Sequence, residues 1–460
     1  MTTTLTTPLA RNLVRLVGAS LAAAGLTMAL PHADANAAGG RTFYLSPSGS
    51  DANSGTDADH PFKSLEKVSD GFLQPGDTVL LQRGATFTGK LGLWASGTAS
   101  QRITVASYGG GAKPVITGDC VWAGASYITL QDFTVTNCNT DGIWSDGVNN
   151  IITGVEASHN IQGIEIGEHA QNNKVVRNYL HHNDKMWPNT PGEFDDSGAV
   201  GMVVTGDNTE VAYNTITDNI ANSVDFGTDG SAVEIYGGIG TVVHHNIASN
   251  NRTFTELGNP RSADTTYAYN QVTSSLEESE FLITRGAEDY FGPVAGTVAV
   301  NNSVKLTGSK STGFVCYAGC TTSMFSFYNN VLDVAGRIGN LEGSMTGGNN
   351  VYWRGSMYSI KLMPGDRYVD PQFRGSRLVP STKSPLVDAG RPSSTKKDLG
   401  GRKVGVDGNG DGKRGTDIGA YEAKPKGNKA KGGKGHNGGK GHHNNHHNGG
   451  HQRVAAARLS

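Results

Sequence analysis

The chain has 460 residues, 64 of them Gly and only 7% aromatic, and a formal net charge of -2. Gly enrichment without a G-X-Y period excludes collagen, and near-neutral charge with no concentrated basic face in the central region excludes nucleic acid as an expected partner. The abundance of Val, Ile, Thr, Asn and Gly points to short strands joined by tight turns, an all-β chain.

Residues 1–38 carry Arg11 and Arg15, an apolar run from Leu16 to Leu30, and the small residues Ala33, Ala35, Ala37 and Ala38. This reads as an export signal that is removed, not as an anchor, because the run falls short of the roughly 20 residues that span a bilayer. The mature chain is expected outside the cell, free of the membrane and monomeric. Four cysteines suit that oxidising compartment; Cys120 with Cys138 and Cys316 with Cys320 is the simplest of three connectivities, between which the sequence does not choose.

Residues 39–120 form an expected N-terminal cap and first coils. Phe62, Leu65, Val68 and Phe72 follow Pro61 at helical spacing, which predicts a short amphipathic helix covering the open first coil.

From 121 to 360 the chain returns to a short apolar strand followed by Asn: VVRNYLHHN, VAYNTITDN, VVHHNIASNN, YAYNQVTSS, VAVNNSVKL and FSFYNNVLD. The recurring residues are Asn178, Asn214, Asn246, Asn270, Asn302 and Asn330, at intervals of 36, 32, 24, 32 and 28. Such spacing is that of a solenoid. Asn tolerates a left-handed backbone and bonds its neighbours, so it suits one corner of each coil and should form a ladder from coil to coil. The interval of 24 approximates a bare coil; longer ones imply extruded loops. Residues 361–422 read as a second cap. Residues 423–460, rich in Gly, His, Lys and Asn, have almost nothing apolar to bury and are expected to be disordered; their His tract is a weak candidate for transition-metal binding.

Over about residues 41–422 this pattern resembles the right-handed parallel β-helix proteins with the pectin lyase fold. The segments YLSPSGSDANSGTDADHPFKSLEKV, PGDTVLLQRGATFTG and ITVASYGGGAKPVITG look like the opening common to many secreted members. The resemblance implies a right-handed parallel β-helix solenoid acting on an extracellular polysaccharide. That fold hosts lyases, glycoside hydrolases, epimerases and non-catalytic surface proteins.

Aligning GIEI, VGMVV, AVEIY, FTELG and LITRG places Glu165, Glu234 and Glu256 in one outward column, in coils that otherwise offer Met202, Thr284 and Cys316 there. Glu234 and Glu256 lie 22 residues apart, which predicts adjacent rungs about 4.8 Å apart. Paired carboxyls at such spacing serve as nucleophile and acid/base in glycoside hydrolysis, and their repulsion raises one pKa. Asp195, Asp196, Asp225 and Asp229, on the long loops, are alternates. Glu165, Trp187, Tyr236 and His245 are candidate substrate contacts.

A Ca²⁺-assisted lyase acting on a uronate is the rival, with Lys185, Arg285 or one of His181, His182, His244 and His245 as base. A non-catalytic glycan-binding protein is the third reading. Near the C terminus, VDGNGDGKRGTD offers Asp407, Asn409 and Asp411 for Ca²⁺, although Ile418 stands where an EF-hand loop would end its ligand set.

Overall fold

The structure is a computed structural model, and it describes residues 39–69 and 72–424. The expected export signal and the His-rich tail lie outside the described residues. Three short strands recur in each coil. One coil consists of Val242–His244, Ile247–Ser249 and Thr253–Gly258. Each pairs in parallel with its counterpart in the next coil, Thr266–Ala268, Gln271–Ser274 and Glu280–Arg285. Repetition yields one sheet of 12 strands and a bent one of 19. The stack is a parallel β-helix.

Every coil sends apolar side chains to the axis. Val243, Ala248, Phe254 and Leu257 of the coil above are buried, and Phe254 stacks on Phe281 of the next coil at 5.6 Å between centroids. No single coil could bury these groups; neighbours above and below complete the core.

The corners are held by asparagine. Asn178 donates to Asn214 Oδ1 at 3.1 Å, Asn214 to Asn246 at 3.0 Å, Asn246 to Asn270 at 3.0 Å, Asn270 to Asn302 at 3.0 Å and Asn302 to Asn330 at 2.9 Å. All six expected residues thus share one corner. The left-handed backbone falls one position earlier than expected, on Arg177, Tyr213, His245, Tyr269, Asn301 and Asn329, with φ between 54° and 60°. The reason is hydrogen bonding: the turn residue reverses the chain, which frees the following Asn side chain to point inward and satisfy buried amides. A second ladder, Asn160, Asn183, Asn219 and Asn251, runs up the next corner.

The coil from Asn246 to Asn270 is bare apart from a short turn. The longer interval from Asn178 holds the loop around residues 184–198. The one from Asn214 holds an antiparallel hairpin, Ala221–Ser223 with Gly227–Asp229.

Two expectations are corrected. In place of the amphipathic helix there is one 3-10 turn, Leu65–Val68. Leu65 and Val68 are buried by that single turn, Ser69 is already extended, and Phe72 is 37% exposed. The C-terminal segment does not only close the end. It runs back along the corners: Asn329 Nδ2 donates to the Arg391 carbonyl at 3.0 Å, Asn301 Nδ2 to that of Asp417 at 2.9 Å, and Tyr269 Oη to Ser393 Oγ at 2.9 Å. Val331, Val351, Leu386 and Ile418 form a small second core beneath it. Both disulfides are local, Cys120 with Cys138 and Cys316 with Cys320.

Candidate active site

One outward column runs along the third strand of each coil. In register it holds Gly92, Trp122, Trp144, Glu165, Val203, Glu234, Glu256, Ile283, Val315 and Asn340. The three glutamates therefore do share an orientation, and Glu234 and Glu256 are direct partners on adjacent strands. Met202, Thr284 and Cys316, expected in the same column, are buried and belong to the inward rows. A slip of one residue changes the face, so Val203, Ile283 and Val315 stand beside the acids instead.

Glu234 keeps intermediate exposure, but its carboxyl is crowded. Burial, and then the charges of Glu256 and Asp229, push it up to about 8. Burial likewise raises Asp229 to about 6, with Glu256 adding to the effect. Glu256 is paired with Arg285, whose other end reaches Asp289 at 3.5 Å. The guanidinium lies over Phe291 at 5.1 Å and Tyr317 at 5.6 Å. Arg285 is thus a cationic clamp on Glu256, and an ion-paired guanidinium makes a poor base. The arrangement separates two roles, a carboxyl at Glu234 whose ionisation is opposed by burial and a carboxyl at Glu256 paired with the Arg285 guanidinium.

Tyr236 follows on the same face. Its ring crosses to the next rung, where a Cβ on Gly258 would stand 2.6 Å from Tyr236 Cζ. Glycine there leaves room for the ring to lie over the sheet. Burial, with Glu256 adding to it, holds the phenol well above its ordinary range, so it remains a neutral donor. A groove of about 590 Å³ continues on this face toward the C terminus, lined by Glu280, Thr312, Val315, Tyr317, Arg337 and Asn340 among others. It adjoins the Glu pair without including it.

The other expected residues divide. Glu165 faces Asp141, one rung earlier; burial and the Glu165 charge raise Asp141 to about 7, and burial raises Glu165. Asp195, Asp196 and Asp225 come together, offering ligand oxygens within 4.8 Å of one another. Asp196 is buried, accepting from Ser223 Oγ at 2.6 Å and the amides of Asp225 at 2.9 Å and Thr190 at 2.8 Å. Asp225 accepts from the Gly192 and Phe194 amides, which ties the loop to the hairpin. Lys185 is engaged by the Cys138 carbonyl at 3.0 Å. Trp187, on the same loop, is 74% exposed.

His245 is not brought to the acid column. It occupies a corner, stacks on Tyr269 at 5.4 Å, and meets the Lys397 carbonyl through Nε2 at 3.0 Å. Burial first, then the neighbouring His244, lowers it to about 4. The returning C-terminal segment covers this corner, which sequence spacing did not reveal.

In the C-terminal segment, Asp407 and Asp411 meet Asp388, all three offering oxygens within 4.8 Å. Asn409 turns to Asp411, its Nδ2 lying 3.4 Å from Oδ2 and its Oδ1 accepting the Asp411 amide at 2.8 Å. Ile418 is core, as its side chain requires, and Asp388 was missed because it lies 19 residues before Asp407. Asp141, Trp122 and Trp144 were also missed, although DGIWS repeats the register of QGIEI. These carboxylate sets have the oxygen-rich chemistry that Ca²⁺ takes.

These coils and ladders define the fold of the chain as a parallel β-helix. Residues 43–262 match the family model described as Pel9A-like, right handed beta helix region. A lacto-N-biosidase of Bifidobacterium longum is 43% identical over 89 residues, 18% of this chain. The chain spans 6% of the length of that curated relative. Among solved structures, the GH136 lacto-N-biosidase from Eubacterium ramulus has a TM-score of 0.51 at 17% identity, covering 71% of this chain and 67% of that one. Pectate lyase Pel9A has a TM-score of 0.52 at 16% identity, covering 84% of this chain and 97% of that one. At such identities the likeness concerns the fold.

Proposed function

We propose that this chain is a secreted glycoside hydrolase of an extracellular polysaccharide. The observation that carries the reading is the Glu234 and Glu256 pair, in register on adjacent rungs, with Glu234 raised to about 8 and Glu256 clamped by Arg285. Glu234 protonates the glycosidic oxygen as the C–O bond breaks. Glu256 faces the anomeric carbon, either attacking it or taking a proton from the water that does. Asp229 supports the raised acid by its charge. Two disulfides and the export-like first 38 residues support secretion.

A lyase remains the second reading, favoured by the Asp195, Asp196 and Asp225 set, which suits Ca²⁺ bound to a uronate. In it these aspartates hold the ion and Lys185, which opens the loop of Asp195 and Asp196, is the cationic base candidate. One experiment separates the two. The full chain is incubated with a panel of polysaccharides, with and without Ca²⁺, and both new reducing ends and ultraviolet absorbance of unsaturated uronate are followed. Reducing ends without absorbance, lost in Glu234→Gln, support hydrolysis; absorbance that needs Ca²⁺ replaces it with elimination.

A further inference from the structure

The acid column does not begin at Glu165. On the two rungs before it stand Trp144 and Trp122, and Trp94 lies two residues beyond Gly92 on the rung before those. The three indoles form one group, with centroids 5.3 Å apart for Trp122 and Trp144 and 6.4 Å for Trp94 and Trp144. Trp94 is 46% exposed.

Its footing is built for it. A Cβ on Gly92 would stand 2.8 Å from Trp94 Nε1, and one on Gly124 would stand 2.3 Å from Cζ3. The indole therefore spans two strands, its pyrrole end over one glycine and its benzo end over the other. Lys90 Nζ lies over Trp122 at 4.4 Å and braces the group from one side. Glu165 pairs with Trp144 in register on the adjacent strand, and Asp141 opens the strand that carries Trp144.

We infer that Trp94, Trp122 and Trp144, with the Asp141 and Glu165 pair, form a distal binding platform for pyranose units of a long glycan chain. An open aromatic face takes the apolar face of a sugar ring, while neighbouring carboxyls take its hydroxyls, a pairing of flat apolar and edge polar contacts. Five rung steps separate Trp122 from Glu256, about 24 Å at the strand spacing. Several sugar units fill such a distance. The chain would lie along the solenoid axis, held at Trp94 and cut at Glu234, with the groove of about 590 Å³ receiving its other end. This inference rests on the proposed hydrolase reading for the direction of the chain, and it implies cleavage within a polymer instead of removal of a terminal unit.

The test uses the full chain and its Glu234→Gln variant, so that binding is read apart from turnover. Each is run through native gels holding xylan, polygalacturonate, alginate or laminarin, beside W94A, W144A, the double variant and W94F. Retardation by at least one polymer is expected in the parent and in E234Q. It should weaken about tenfold or more in the W94A/W144A variant, a loss of the size found for buried aromatic anchors, and be largely kept in W94F. Thermal melting checks that each variant is folded; W94F and the single alanines keep the test open if the double variant is not. On a polymer the parent cleaves, W94A should lose kcat/KM on long chains and keep it on di- and trisaccharides.

Retardation without any cleavage would leave the platform standing and remove the hydrolase reading. No retardation by any polymer, or equal retardation of folded W94A/W144A and parent, would overturn the platform whatever the chemistry at Glu234.

Discussion

Replacing Glu234 by Gln should slow catalysis and, above neutral pH, stabilise the fold. The side chain of Glu234 ordinarily titrates near 4.5 and in the folded protein near 8, because burial and the Glu256 and Asp229 charges oppose its ionisation. The folded state therefore binds this proton more tightly than the unfolded one. Its contribution to stability is complete below about pH 4.5 and is lost as pH rises through about 8. At about 1.4 kcal/mol per pH unit, the loss between pH 5 and pH 8 is bounded at roughly 3–4 kcal/mol. Solvent reaching this partly exposed group reduces the expected figure to about 2–3 kcal/mol. Gln keeps the shape and carries no ionisable proton. Urea denaturation of parent and Glu234→Gln at several pH values between 5 and 8 measures the difference. Asp141, at about 7, Asp417, at about 6, and Glu422, at about 8, lower stability with rising pH alike in both proteins, so the difference reports Glu234 together with the Asp229 and Glu256 charges that act on it. The variant should gain on the parent by about 2–3 kcal/mol across that range. Parallel pH curves would refute the raised carboxyl, and with it the assignment of Glu234 as the acid.

Three further outcomes are expected. Glu256→Gln should lower turnover by roughly 10² or more, and the double variant with Glu234→Gln should fall hardly further than the worse single one, as assay of released reducing ends would show. Asn246→Ala removes four side-chain hydrogen bonds of 2.9–3.0 Å at a fully buried corner, and with each orphaned group worth about 1–3 kcal/mol it should lower unfolding free energy by about 3 kcal/mol or more; a loss under about 1 kcal/mol would mean that the ladder is not structural. Ca²⁺ should stabilise the C-terminal segment through Asp388, Asp407 and Asp411, so chelator should lower the melting temperature of the parent and leave Asp407→Ala with Asp411→Ala unaffected; the same response in both would dismiss that site.

Much of this protein was legible in one dimension because a solenoid repeats in space what it repeats in sequence. Each Asn of the series from Asn178 to Asn330 meets the next one by chain order alone, and the 22 residues between Glu234 and Glu256 amount to one turn of the stack. Stacking parallel coils turns periodicity directly into contact. What escaped depended on where chain segments outside the repeat come to rest. His245 has the same spacing as its neighbours, yet the Lys397 segment covers it from 152 residues away. Asp388 reaches Asp407 only because the C-terminal segment folds back on itself. Met202, Thr284 and Cys316 were assigned to the outer face by a one-residue slip, since alternation tells two faces apart but its phase is set by the bend at each corner. The acidity of Glu234 was likewise a tertiary matter. Repulsion from Glu256 follows from the spacing of the two residues, whereas the larger cause, burial of the carboxyl, and the Asp229 charge come only with the folded surface. Repeats determine which residues line up; the burial and charge around them, which decide chemistry, exist only once the coils are stacked and the loops have closed over them.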